Sequence, residues 1–407
     1  EVRVVDSENT FYLEQGEEVK VEGGPDQVSQ AGHIFVNYAG FAQDVPVGSS
    51  VLIDDGEVEL KVIAKEGNAL RCEVRNSGNV KPRKSVNIPN VTTNLPSVSE
   101  KDREYIHFAA EHDLDFIAHS FVRNKEDVKA VQNILDEHNS DVKIIAKIEN
   151  QEGVDNIDEI LDAAYGIMVA RGDLAIEIPY EKIPGVQKML INKCIEKRKP
   201  VIIATQMLHS MIHNPRPTRA EVSDIASAIY SQADAVMLSG ESANGKYPVE
   251  AVRTMAKVAR EVENSKDMMY DIPIVVINNK VSDLLCKSAV EASINLDTKV
   301  IIADTTSGRT IRSLSAYRGQ KPVYAQCYTK RTMRELQLSY GVFTDFMSPR
   351  ETSHEFVIHA IRHLEEEHEF DKDDLVVILA GNFGRGVGAS YIEIGSIKNL
   401  IGHIERD

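Results

Sequence analysis

Lys147 and Glu149 stand two residues apart in the octapeptide Lys143-Ile-Ile-Ala-Lys-Ile-Glu-Asn150. Its apolar start reads as a short strand, in which alternate side chains share a face. An ammonium and a carboxylate therefore emerge side by side, next to the apolar side of Ile145. Charges near the end of a buried strand are costly unless they are paired or bind something. A structural ion pair meets that condition, and so does a binding site. Asp173, in Arg171-Gly172-Asp173, closes the next apolar run. Carboxylates at the ends of two consecutive strands can converge on one hard cation, and with waters and substrate oxygens they form a typical Mg2+ (or Mn2+) site. Gly172 has no Cβ, so a ligand can approach the backbone closely. A helix after Asp173 is expected to turn its N-terminus toward an anion. The pattern suits a small, strongly anionic substrate on which charge builds at oxygen. Thr205 and Ser239 end two further runs; as hydroxyls they are weak bases but able to relay a proton.

The elements that must position these groups are apolar runs at roughly 30-residue spacing. They are Asp115–Phe121, Val142–Glu149, Gly166–Ala170, Pro200–Thr205 and Ala235–Ser239. Near-continuous apolar runs mark a parallel sheet covered on both faces. Helical periodicity between them, as in Asn124–His138 and Ile183–Arg198, makes this βα architecture. Each run ends in polar residues: Ser120 with Arg123 beyond it, then Lys147 and Glu149, Arg171-Gly172-Asp173, Thr205-Gln206, and Ser239-Gly240-Glu241. Polar residues at the carboxyl ends of several parallel strands are how a barrel enzyme builds its site, which favours a site over a lone ion pair. A closed barrel needs eight strands and five are counted; an open doubly wound sheet is the alternative.

Residues 4 to about 90 read as a small all-β unit, with Val51-Leu-Ile, Glu57–Ala64 and Leu70–Val74 punctuated by turn residues. From about 273 a second α/β unit is expected, with strands Pro273–Ile277, Val300–Asp304, Val323–Gln326, Gly341–Phe346 and Leu375–Ala380. Within it, Thr305-Thr306-Ser307-Gly308-Arg309-Thr310 follows a strand and opens a helix. Backbone N–H groups, hydroxyls and one Arg there suit a phosphate, unless this is a simple turn with Thr310 as N-cap. Gly381-Asn-Phe-Gly-Arg-Gly-Val-Gly388 departs from the dinucleotide fingerprint and reads as a loop or ligand rim. His354, His359, His363 and His368 read as a solvated helix face rather than a zinc site.

The chain has 407 residues, enough for two or three domains, and a net charge of −17. That charge argues against nucleic acid as a partner, and no apolar run is long enough for a membrane span. No signal peptide is visible, although the chain begins without Met. Four scattered cysteines, Cys72, Cys194, Cys286 and Cys327, suggest reduced thiols in a cytoplasm.

Ile144–Val154 (Ile-Ile-Ala-Lys-Ile-Glu-Asn-Gln-Glu-Gly-Val) resembles the signature of the pyruvate kinases. So do Met168-Val-Ala-Arg-Gly-Asp173, Ala204-Thr-Gln-Met207, Asn214-Pro-Arg-Pro-Thr-Arg-Ala-Glu221 and Met237-Leu-Ser-Gly-Glu241. The resemblance implies a (β/α)8 TIM barrel, five of its eight strands present here, with an inserted small β-barrel lid and a C-terminal α/β three-layer domain. The limits would be a lid at 1–91, the barrel at 92–268 and a regulatory domain at 269–407. It implies transfer of the phosphoryl group of phosphoenolpyruvate to ADP, giving pyruvate and ATP. Lys147 would then steady the transferring phosphoryl and the enolate oxygen. Glu149 and Asp173 would hold Mg2+. The amides of Gly172 and Asp173 would hold the substrate carboxylate, with Ser120 near the phosphate. Thr205, with Ser239 and Glu241 through water, would help protonate the enolate carbon. Arg3 and Lys84 would reach the nucleotide, and Glu1 matches a position that accompanies K+ dependence. The Thr305–Thr310 loop resembles a site for a sugar-phosphate effector, and the family is usually a homotetramer.

Departures from the family pattern are Ala175 for a usual Gly, and Ser85 and Asn90 where Gly is common at the lid's return. The family's Arg-x-Asn and Asp-Thr-Lys-Gly-Pro segments are not in the sequence, and the chain as it stands is expected to be inactive while the full-length enzyme is active. Two rivals fit less well. A Mg2+-dependent aldolase or lyase acting on pyruvate or phosphoenolpyruvate would need neither the β lid nor Thr205 in its motif. A non-catalytic relative would not be expected to keep Lys147, Glu149, Asp173 and Thr205.

Overall fold

The computed structural model describes residues 2–3, 10–54, 56–89, 91–265, 279–350, 352–367, 370–381 and 388–404. Glu1, Asn90, the expected strand Pro273–Ile277, His368 and residues 382–387 of the glycine-rich segment lie outside the described residues. The chain divides into two compact units, Glu1–Ala164 with Met168–Leu190, and Tyr165–Ile167 with Ile191–Asp407.

The first unit opens with nine strands: β1 (Val2–Arg3), β2 (Phe11–Leu13), β3 (Glu18–Gly23), β4 (His33–Val36), β5 (Ser50–Ile53), β6 (Val58–Glu66), β7 (Ala69–Val74), β8 (Gly78–Val80) and β9 (Val86–Asn87). Seven form one sheet in the order β1-β4-β3-β7-β6-β5-β9, and β2 pairs with β8. Alternation builds its core. Val58, Leu60 and Val62 of β6 and Leu70, Cys72 and Val74 of β7 point inward and join Val19, Val21, Ile34 and Ile53. The β6–β7 hairpin turns at Gly67, whose φ of +63° favours a residue without Cβ. One element departs from the all-β expectation: Phe41–Asp44 forms a single helical turn, because burying Phe41 and Ala42 anchors it on the core.

The parallel strands are β10 (Phe116–His119), β11 (Lys143–Ile148), β12 (Gly166–Ala170), β13 (Val201–Ala204) and β14 (Ala235–Val236), in the sheet order β10-β11-β12-β13-β14. β12 and β13 are buried along their whole length, as continuous apolar runs require. Helices Lys125–Glu137 and Ile183–Lys197 lie where periodicity placed them. Asn124 caps the first by accepting from Asp127 N. The strands end earlier than the sequence suggested. Glu149, Thr205 and Ser239 each fall beyond the last paired residue, since the chain leaves the ladder where it must aim a side chain elsewhere.

In the second unit β15 (Val300–Thr305), β16 (Val323–Cys327), β17 (Val342–Phe346), β18 (Leu375–Gly381) and β19 (Ala389–Ser396) form a sheet in the order β17-β16-β15-β18-β19. All pairs are parallel except β18–β19. One core packs Cys286, Val290, Ile311 and Leu314 on one side; the other packs Phe356, Ala360, Ile361 and Leu400. β19 was not anticipated, since at the sheet edge only its two end residues are buried and its apolar alternation is weak.

One buried carboxylate ties this unit together. Asp234, just before β14, accepts from Arg318 Nη1 (2.7 Å), Arg318 Nη2 (2.8 Å), Tyr340 N (2.9 Å) and Val201 N (3.0 Å). The fork-on-carboxylate geometry satisfies both charges, which burial would otherwise make costly. Among the described residues no helix is long and apolar enough to cross a membrane.

Candidate active site

The strand geometry puts Lys147 and Glu149 on one side of the chain, as their spacing requires. Lys147 Nζ lies 2.7 Å from Glu149 Oε1 and donates to Ser120 Oγ at 2.9 Å. The Glu149 side chain is fully buried, while that of Lys147 is about a quarter exposed. Glu149 Oε2 accepts from Phe121 N at 2.7 Å. No donor among the described residues meets Glu149 Oε1 at a hydrogen-bonding angle, despite the nearby ammonium. Burial pushes the Glu149 carboxyl above its ordinary range; Lys147 opposes this, and the Asp173 charge adds to it. A buried carboxylate oxygen without a directed donor, within electrostatic reach of a second carboxylate, is the kind of donor set that could hold a hard divalent cation.

Phe121 was not singled out from the sequence. Its φ is +52° and its ring is 47% exposed. For a bulky residue the left-handed region is unfavourable, and here it turns the N–H onto Glu149. Nothing in a Phe codes for that conformation, so only a structure reveals it.

The helix at Asp173 starts earlier than expected. It spans Arg171–Glu177 with Ala170 as N-cap, so Gly172 and Asp173 sit in its first turn rather than ahead of it. Arg123 belongs elsewhere: its guanidinium is bound to Asp127 and to the carbonyls of Thr93 and Leu95. Arg3 and Lys84 are brought together by the backbone, Val2 N donating to Lys84 O (2.9 Å) and Arg83 N to Val2 O (3.0 Å). Lys84 Nζ donates to Asp54 Oδ1 at 2.7 Å.

In the second unit, Thr205 and Gln206 leave β13 with consecutive φ values of +69° and +56°. A β-branched residue there is a genuine outlier, of the kind that persists where surroundings over-determine it. Thr205 Oγ1 donates to Ala204 O. Glu241 is buried, and both its oxygens are engaged: Oε1 accepts from Leu208 N (3.0 Å) and Oε2 from Ser239 N (2.8 Å). It therefore braces the turns after β13 and β14, and its effect on Ser239 is positional. The Asn214–Glu221 motif is architectural. Thr218 and Glu221 form a capping box for helix Arg219–Tyr230, and Glu221 also accepts from Ser210 N and Oγ.

The Thr305–Thr310 loop corrects one detail. The helix runs Arg309–Ala316 with Gly308, at φ +78°, as N-cap. Thr310 is therefore inside the helix, and Thr305 Oγ1 instead accepts from Gly308 N at 2.9 Å. Arg309 Nε donates to Ser307 Oγ (3.2 Å), and Arg312, not anticipated, donates from Nη2 to Ser307 O (3.1 Å). Thr306 O accepts from Thr332 Oγ1 at 2.9 Å. Of the histidines, His363 Nε2 faces Asp345 Oδ2 at 3.3 Å.

Comparison with known proteins supplies an independent line. Residues 1–252 match the family described as pyruvate kinase, barrel domain, and residues 283–394 match pyruvate kinase, alpha/beta domain. A pyruvate kinase of Borreliella burgdorferi is 45% identical over 98% of this chain and 85% of its own length. One of Clostridium acetobutylicum is 43% identical over 94% of this chain and 81% of its own length. That of Bacillus licheniformis is also 43% identical, but the chain spans 65% of it. The crystal structure of a pyruvate kinase from Cryptosporidium parvum superposes with a TM-score of 0.89 at 35% identity, over 97% of this chain and 81% of that one.

Proposed function

Because the chain belongs to the pyruvate kinase family, a family of glycolytic phosphotransferases that move the phosphoryl group of phosphoenolpyruvate to ADP, we propose that Lys147, Glu149 and Asp173 carry that transfer here. The observation behind this reading is the buried Glu149 carboxylate beside Lys147, one oxygen lacking a directed donor. In the reaction a β-phosphate oxygen of ADP bonds to the phosphorus, the bond from phosphorus to the enol oxygen breaks, and the enolate left behind takes a proton at carbon. Lys147 Nζ places positive charge where the phosphoryl and the enolate oxygen gather negative charge. Ser120, bonded to that ammonium, lies on the phosphate side. The amides of Gly172 and Asp173 hold the carboxylate. Thr205, with Ser239 set by Glu241, delivers the proton.

Glu149 and Asp173 are the residues that would hold Mg2+ or Mn2+, which when bound neutralises the transferring oxygens. K+ dependence, nucleotide contacts by Arg3 and Lys84, a sugar-phosphate effector at Thr305–Thr310, a homotetramer and a cytoplasmic location follow from family membership and are proposed on that ground. So are domain limits of 1–91, 92–268 and 269–407. The test is pyruvate formation from phosphoenolpyruvate by the enzyme with Mg2+ and K+, with and without ADP. Lys147→Met should lower kcat by roughly 10²–10³, as loss of a group stabilising transition-state charge does. Wild-type turnover in that variant would sink the assignment, and pyruvate formation at the same rate without ADP would mean that water rather than ADP takes the phosphoryl group, which overturns the transfer reading.

A further inference from the structure

We propose that Arg123 and Asp44 grip the tripeptide Thr93-Asn94-Leu95 from opposite sides, and that this clamp couples the β-rich domain to Glu149. The coupling rests on the reading of Glu149 as a metal-holding carboxylate. Thr93–Leu95 is the stretch by which the chain passes from the β-rich domain toward helix Glu100–Glu111.

On one side, Arg123 Nη1 donates to Thr93 O (2.9 Å) and Nη2 to Leu95 O (3.1 Å). The same guanidinium is fixed by Asp127, through Nε to Oδ2 (3.0 Å) and Nη2 to Oδ1 (3.0 Å). Asp127 is 5% exposed, and Arg123 N also donates to its Oδ2 at 2.9 Å. A planar fork with this many acceptors cannot rotate without losing several at once. On the other side, Asp44 takes the middle residue, Asn94 N donating to Oδ2 (2.8 Å) and Asn94 Nδ2 to Oδ1 (3.0 Å). Tyr38 also donates to Asp44. Asp44 ends the helical turn that Phe41 and Ala42 anchor in the β-rich core.

The two grips differ in strength. Both Asp44–Asn94 bonds are solvent-exposed, whereas of the Arg123 bonds only that to Leu95 is exposed, those to Thr93 and Asp127 being partly buried, and exposed polar contacts are the weaker kind. Displacement of Thr93–Leu95 therefore either releases Asn94 from Asp44 or pulls on Arg123. A pull on Arg123 reaches Phe121, two residues away, whose left-handed backbone holds its N–H on Glu149 Oε2. Arg123 is thus a positioning residue, acting on the site through Phe121.

Amide hydrogen exchange in the metal-free enzyme tests this, with helix Lys125–Glu137 as the internal control for folding. Asp44→Asn should raise exchange of the Asn94 amide about tenfold by opening the exposed grip. Arg123→Lys, which keeps the charge and loses the fork, should raise exchange at Phe121 as well, and should weaken Mn2+ binding severalfold. Unchanged exchange at Asn94 in Asp44→Asn overturns the clamp. Faster exchange at Asn94 in Arg123→Lys with Phe121 unmoved overturns the coupling. Mn2+ binding that survives Glu149→Gln removes the metal reading while leaving the exchange results to decide the clamp.

Discussion

Glu149 is buried with its carboxyl pushed up from 4.5, chiefly by burial. The sign follows from linkage. A raised folded value means that the group adds stability below its unfolded value and loses it as pH rises through the folded one. The metal-free enzyme should therefore lose stability as pH climbs out of the ordinary carboxylate range, and Mn2+, which takes the ionised form, should restore it. The measurement is Tm against pH with and without Mn2+; in Glu149→Gln the metal-dependent gain should vanish at every pH. Glu221 has the opposite sign. Burial alone would raise its carboxyl, but the hydrogen bonds from Ser210 and Thr218 together hold it below the usual value. Its stabilisation is present above the unfolded value and fades as pH falls through the folded one. Gln206, exposed at φ +56°, carries a left-handed backbone cost of about 1–2 kcal/mol. Gln206→Gly should gain a few tenths to about 1 kcal/mol once the extra entropy of the unfolded chain is subtracted. A lower urea midpoint would show that the side chain contributes more than its exposure suggests.

Among the elements, those with strong period and length were the legible ones. Gly166–Ala170 was placed residue for residue, and Lys125–Glu137 and Ile183–Lys197 to within a residue, because continuous apolar runs and 3.6-residue repeats outlast local noise. β19 escaped, since an edge strand has little apolar alternation to display. The pairing of Lys147 with Glu149 was legible because charge at a strand end is conspicuous. What could not be read was backbone: the left-handed turns at Phe121, Thr205 and Gln206, and the N-cap at Gly308 in place of Thr310. The partners of Arg123 and Asp234 were equally silent, since a guanidinium looks alike in sequence whether it meets substrate or a carbonyl. The Asp234 cluster yields a prediction at this scale. Arg318→Ala leaves a buried carboxylate without its fork, and loss of one partner of such a pair costs about 3–5 kcal/mol. Asp234→Asn combined with Arg318→Ala should cost less than the sum of the two, read from urea unfolding of both singles and the double. Additive losses would mean that the two residues act independently.

At the scale of the whole molecule, the proposed effector response has a compact test. Ser307→Ala with Arg309→Ala removes the hydroxyl and the Nε donor that meet at 3.2 Å. An activation curve for a sugar phosphate should move to higher concentration by roughly tenfold or more, as when charge-assisted bonds to a phosphate are lost, and an unchanged curve would dissociate the loop from regulation. The cysteines offer something different. Cys72 lies in the β-rich core, Cys194 in helix Ile183–Lys197, and Cys286 and Cys327 in the C-terminal core. All four are free and buried, and burial pushes Cys72, Cys286 and Cys327 up to about 12, with Cys194 also raised by burial. A thiol attacks a modifying reagent only as its thiolate, so each sulfur reacts only after its own neighbourhood has opened. The chain thus carries four clocks wound by three parts of the fold, Cys286 and Cys327 sharing one core. The order in which they are stopped by a thiol label, resolved by peptide mass, would record which part of the enzyme comes undone first.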